Sequence, residues 1–253
     1  MSQTPPLLVF ADDWGRHPSS CQYLIGHLLD RYDIYWVNTI GMRRPRLDLA
    51  TLSRSFEKLG SWLGTSKARQ ENAGPRPRVL SPRMWPWFSS KLDRGLNRRL
   101  LGWQLGSLLR TLPEPPVVVT TIPIVADLIG VLPARRWVYY CVDDFAQWPG
   151  SDTAALGAME ERLVNQADVV IAVSETLRDR IAALGKTARL LTHGVEFEAW
   201  EPAEKTPALL PQLEGLERPL IVFWGLIDQR MDVNLVNRVA DDLTSGTIVL
   251  AGP

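Results

Sequence analysis

Five short stretches of the chain gather the residue types that do chemistry. The first is Asp12-Asp13-Trp14-Gly15-Arg16-His17-Pro18-Ser19-Ser20. Carboxylates accept hydroxyl hydrogen bonds, and a loop that opens a helix offers N–H groups and positive potential to an anion. That loop could hold a polar acceptor or a phosphate. The second is Cys141-Val142-Asp143-Asp144. Adjacent carboxylates at a strand end point in different directions, so one of the two should face a cleft and accept a hydroxyl or act as a base. Asp143 is taken first and Asp144 second, and Cys141 reads as a core residue rather than a nucleophile. Ser174 starts a helix as its N-cap and faces the same edge. His193 stands in His193-Gly194-Val195-Glu196, just before a proline-rich stretch. The last is Gly225-Leu226-Ile227-Asp228-Gln229-Arg230, a glycine turn and a cation ahead of a helix, suited to a phosphate.

Positioning these residues falls to an alternation of short apolar runs and helical patterns. Apolar runs at 7–11, 34–38, 79–80, 117–121, 137–142, 168–174 and 188–192 read as buried strands of a parallel sheet. Between them, helices are expected at about 19–31, 52–63, 89–112, 124–129, 153–166 and 175–184. In the helix over 89–112, Leu92, Leu96, Leu100, Trp103, Leu108 and Leu112 are the expected inner positions. The fold class is therefore α/β, an open, mostly parallel, Rossmann-like sheet whose strand C-termini line one ligand edge. Residues 1–195 form this domain, 196–218 a linker rich in proline and glutamate, and 219–253 a further strand–helix–strand. A lone unit of that kind cannot cover both faces of its sheet. The expectation is a second Rossmann-like domain cut short by truncation.

Composition narrows the class further. Apolar residues make up 45% and charged residues 22%, the balance of an ordinary globular protein. No apolar run approaches the ~20 residues of a membrane-spanning helix, and residues 1–6 lack a secretory signal pattern. Two cysteines, Cys21 and Cys141, form no disulfide framework or metal pattern. A cytoplasmic location fits. The formal net charge is zero, yet residues 41–110 hold fifteen Lys/Arg against four Asp/Glu. Such a patch suggests one anionic partner surface. With Met84-Trp85-Pro86-Trp87-Phe88 inside it, the patch suits the inner face of a membrane, with peripheral attachment there.

Taken in order, these segments resemble a GT-B glycosyltransferase of glycosyltransferase family 4, the large retaining group (glycosyl transferases group 1-like). The resemblance is carried by Asp12-Asp13-Trp14 with His17-Pro18-Ser19-Ser20, by Cys141-Val142-Asp143-Asp144, and by Val170-Ile171-Ala172-Val173-Ser174 with Leu177. His193-Gly194-Val195-Glu196 and Trp224-Gly225-Leu226-Ile227-Asp228-Gln229-Arg230 complete it. It implies two Rossmann-like domains, the first holding the acceptor and the second a nucleoside-diphosphate sugar. On that basis Asp143 and Asp144 are the catalytic candidates. Asp12, Asp13, Trp14, His17, Ser174 and His193 are acceptor-side candidates. Gly15, Arg16, Gly225 and Arg230 are donor or phosphate candidates. The first loop departs from the family's glycine-rich form, its sugar-proximal histidine is not evident, and its pair of glutamates spaced by seven would fall beyond Pro253.

The implied activity is transfer of a hexose or related sugar to a lipid-linked or polysaccharide acceptor, as in polysaccharide biosynthesis. Neither a cofactor nor a metal is expected on this reading, because Arg230 and helix N-termini supply positive charge to the leaving diphosphate. This chain alone is expected to be inactive. A non-catalytic α/β module binding an anionic membrane or a glycan is the main alternative. A nucleotide-sugar epimerase or dehydrogenase lacks its GxGxxG and Tyr-x-x-x-Lys here. Nucleic acid is not an expected partner.

Overall fold

Leu7–Ala11 is buried at every position and forms β1, the third strand across a seven-stranded sheet. The computed structural model describes residues 4–16, 19–41, 75–194 and 210–252. His17 and the expected helix over 52–63 lie outside these. The chain divides into two compact units, Met1–Val195 and Glu196–Pro253.

In the first unit β1 leads to helix α1 (Ser20–Gly26) and strand β2 (Ile34–Asn38). Strand β3 (Arg78–Leu80) precedes the long helix α2 (Lys91–Leu109). Strand β4 (Val117–Thr120), a 3-10 turn (Pro123–Leu128) and strand β5 (Arg136–Cys141) follow. Helix α3 (Thr153–Gln166), strand β6 (Val169–Ala172), helix α4 (Glu175–Ala183) and strand β7 (Arg189–Leu190) complete it. The strand order is β3-β2-β1-β4-β5-β6-β7, and each neighbouring pair is parallel. The architecture is the expected open, Rossmann-like parallel sheet. Its order reverses between β1 and β4, the switch point outside which such sheets bind ligands.

In β1 and β2 the apolar runs are covered on both sheet faces, whereas β3 and β7, expected as buried strands, lie at the sheet edges and have no buried position. Leu8, Val9, Phe10, Trp36, Val118, Tyr139 and Cys141 are fully buried. Helix starts follow side-chain capping: Ser19 caps α1, Ser90 caps α2 in a reciprocal box with Asp93, and Ser174 caps α4.

The inner face of α2 differs from expectation. The buried residues are Asn97, Leu101, Leu105, Gly106 and Leu109. Leu92 is 86% exposed and Trp103 78%. Asn97 decides the orientation, because its amide accepts from Trp85 N–H (2.7 Å) and donates to the carbonyls of Trp85 and Trp87 (both 3.0 Å). A buried amide that pairs backbone groups of the lead-in segment turns the helix about its axis.

Two arginines tie the face together. Asp127 takes a bidentate pair from Arg94 of α2 (2.6 and 2.8 Å) and a further bond from Arg162 of α3 (2.7 Å). The Arg94 hydrogen bond outweighs burial and holds the Asp127 carboxyl below its usual range, while Asp127 raises Arg94 in turn.

The second unit contains strand β8 (Leu220–Trp224), helix α5 (Val233–Asp242) and strand β9 (Thr247–Ala251), with β8 and β9 parallel. The strand ends close tightly: a Cβ on Gly252 would sit 1.7 Å from the Gly225 carbonyl oxygen, so only glycine fits there.

Candidate functional site

The loops that leave the switch point are held before they meet any ligand. Trp36, fully buried on β2, donates its indole N–H to the Asp12 carbonyl (2.8 Å). Trp14 packs edge-on against Trp36 with centroids 4.8 Å apart, and its N–H donates to Asn38 Oδ1 (3.2 Å). Gly15 turns the chain with φ of +75°, a conformation that favours glycine, and donates to Gln22 Oε1 (3.0 Å). Strand β2 and helix α1 thus brace the first loop from both sides.

Beyond these braces lies a cavity of about 400 Å3, within the range of roughly 300–1,000 Å3 for small-molecule sites. Asp12 follows β1, Thr121 follows β4, Asp143 follows β5, and His193 follows β7 on its wall. Ser19, Ser20 and Tyr23 at the start of α1, with Phe145 and Trp148, complete the polar and aromatic lining.

Asp143 is fixed by two donors. The Asp144 N–H donates to Oδ1 (2.8 Å) and the Trp148 indole to Oδ2 (2.9 Å). A carboxylate has about four lone-pair sites, so two bonds leave acceptor capacity for a ligand hydroxyl. Trp148 stands edge-on to Phe145, 5.1 Å between centroids, beside that carboxylate. A sugar offers hydroxyls at its rim and C–H groups on its faces, which match a carboxylate beside aromatic rings. Also on the cavity lining, Ser20 Oγ and His193 Nδ1 share a 2.5 Å hydrogen bond.

Asp144 turns the other way. It is absent from the cavity lining, and its Oδ1 lies 3.5 Å from Arg180 Nη1. Arg180 is bidentate to Glu160 (2.8 and 2.6 Å), and the Tyr139 hydroxyl donates to the same carboxylate (2.6 Å). Glu160 is 2% exposed. Its hydrogen bond is the main cause that raises Arg180 above the usual guanidinium value. The catalytic candidacy thus narrows to Asp143, because Asp144 is drawn into an ion cluster beneath the loop.

The other candidates divide. Asp12 and His193 line the cavity. Asp13 instead pairs with Arg16 (3.4 Å), and Ser174 spends its hydroxyl on the Leu177 N–H (3.3 Å). Trp14, Gly15 and Arg16 belong to the loop but not to the lining. Gly225 and Arg230 belong to the second unit, where the Arg230 guanidinium is clasped by Asp228 (3.0 and 3.2 Å). Thr121, Tyr23 and Trp148 were missed as site residues. Trp148 carried a legible signal, an aromatic five positions after the first of two acids at a strand end.

Neither cysteine is poised for nucleophilic attack. Burial pushes the Cys21 thiol up to about 12 and the Cys141 thiol up to about 11. Among the described residues no group of three or more His, Cys, Asp or Glu side chains could hold a metal ion. Among them, too, no helix is long and apolar enough to cross a membrane. Comparison with protein-family models and with curated protein sequences finds no match to this chain.

Proposed function

We propose that the first unit is the acceptor-side half of a glycosyltransferase that moves a sugar from a nucleoside diphosphate to a lipid-linked or polysaccharide acceptor. One observation carries the reading. Asp12, Thr121, Asp143 and His193, from the ends of four different strands, surround one cavity at the point where the strand order reverses. On this reading an acceptor sugar lies against Phe145 and Trp148, and Asp143 accepts the hydroxyl that is to be glycosylated. The Trp148 and Asp144 N–H bonds keep that carboxylate in one orientation, which limits the reorganisation needed on binding. Ser20 and His193 supply further donors and acceptors on the same lining. Within the second unit Gly225 and Arg230 remain proposed diphosphate contacts, where positive charge would stabilise the leaving group. For Arg230 to act so, a phosphate must replace Asp228 on its guanidinium.

The test is a titration of the chain with soluble oligosaccharides and solubilised lipid-linked saccharides, followed by tryptophan emission and calorimetry. A saturable response is expected from at least one saccharide class. Asp143→Asn should weaken it at least about tenfold, the scale of a lost hydrogen bond to a charged group, while Asp13→Asn should leave it within about twofold. No saccharide response, or one that survives Asp143→Asn unchanged, would overturn the proposal.

A further inference from the structure

Helix α2 is apolar on two opposite sides, and the sheet accounts for only one of them. Leu101, Leu105 and Leu109 enter the core. Leu92 and Trp103 are 86% and 78% exposed, and Leu96 also faces solvent. Positions 92, 96 and 103 fall on one stripe at helical spacing, with Arg99 between the last two. A tryptophan left exposed in mid-helix beside two exposed leucines calls for a partner.

The charge around the stripe names the partner's chemistry. Lys91, Arg98 and Arg99 on α2, and Arg110 at its C-cap, are exposed. The acid of this helix, Asp93, is occupied at its N-terminus by Ser90 and the Trp85 indole (2.6 and 2.8 Å). Arg94, the one half-buried cation, is neutralised by Asp127. The exposed face is thus of a single sign. A second copy of the chain would set identical cations against each other. Single-stranded nucleic acid would meet one ring, Trp103, and two aliphatic side chains, where a succession of stacking rings is needed. Leucine and tryptophan among cations fit the boundary between lipid headgroups and acyl chains.

We propose that the outer face of α2, with Leu92, Leu96 and Trp103 as insertion points and Lys91, Arg98 and Arg99 as headgroup contacts, docks on an anionic lipid bilayer. Because β3 runs parallel to β2 and β1, its C-terminal end, from which residues 81–90 lead to α2, lies on the sheet edge that carries the cavity. The inference stands apart from sugar transfer, and its test contains no sugar.

The whole chain is sedimented with vesicles of phosphatidylcholine alone, or of phosphatidylcholine mixed equally with phosphatidylglycerol. Binding is expected to the mixed vesicles and not to the neutral ones. It should fall steeply as salt rises from about 0.1 M to about 1 M, which shortens the screening length from ~10 to ~3 Å. Leu92→Ser with Trp103→Ser, and separately Arg98→Glu with Arg99→Glu, should each weaken it by roughly tenfold or more. These residues are exposed, so an unchanged thermal midpoint is expected and is checked alongside. Four results would overturn the proposal. One is failure to bind the mixed vesicles, and another is binding that both variants retain. The others are a dimer in solution that the Leu92/Trp103 variant dissolves, and retention on single-stranded DNA that the same variant loses.

Discussion

Asp143 and Asp144 are chemically identical neighbours, and Arg180 separates them. It stands on α4, in ion contact with Asp144 and bidentate to the buried Glu160. The cluster holds one guanidinium between two carboxylates, with the Tyr139 hydroxyl donating to the more deeply buried one. Breaking a buried pair from one side leaves a charge without its partner in a low-dielectric place. Glu160→Gln should therefore destabilise the first unit by about 3 kcal/mol. The paired change Glu160→Leu with Arg180→Met removes both charges and should cost less than Glu160→Gln alone. Urea unfolding of the two variants checks this. A Glu160→Gln midpoint indistinguishable from the parent would show that the cluster does not hold the loop. The split between the two acids could not be read from sequence, because the residue that makes it lies far along the chain. The same is true of the Ser20–His193 bond, which joins positions 173 apart.

At the scale of elements, the sheet was legible and the roll of its longest helix was not. Continuous apolar runs marked the buried strands, since a strand covered on both faces has no polar positions to interrupt it. Helix α2 carries leucines on both sides, so periodicity alone allowed either roll, and buried Asn97 settled it through bonds to Trp85 and Trp87. The join between α2 and α3 rests on Asp127 with its two arginines, and acid should expose it. The Asp127 carboxyl is held low, chiefly by Arg94, so its folded value lies below the unfolded one. A group shifted this way contributes fully above the unfolded value, near ~3.9 for Asp. Its contribution is lost as pH falls through the lower, folded value. Asp127→Asn should then cost about 2–3 kcal/mol at neutral pH. The gap between parent and variant should narrow as pH drops below about 4. Urea midpoints measured for both proteins down the acid limb test it, and a gap that stayed constant with pH would rule out the carboxylate as its source.

The whole molecule divides its stability unevenly. Every described core residue lies between Leu7 and Ala188, and no described residue of the second unit is buried. Strands β8 and β9 pair along five positions, yet Val222, Phe223, Trp224 and Leu250 remain exposed. Backbone hydrogen bonds with little apolar cover open locally at low cost, whereas those of a covered sheet open only with the whole fold. Hydrogen exchange of the full chain should therefore separate the two units. Amides of β1, β4 and β5 should exchange with the free energy of global unfolding, while those of β8 and β9 should exchange faster by roughly a hundredfold or more. Gly252→Ala should widen the difference, because its Cβ would drive the ends of β8 and β9 apart. Protection of β8 equal to that of β1 would mean that apolar cover reaches the second unit in solution. The exposed ladder described above would then not be its working state.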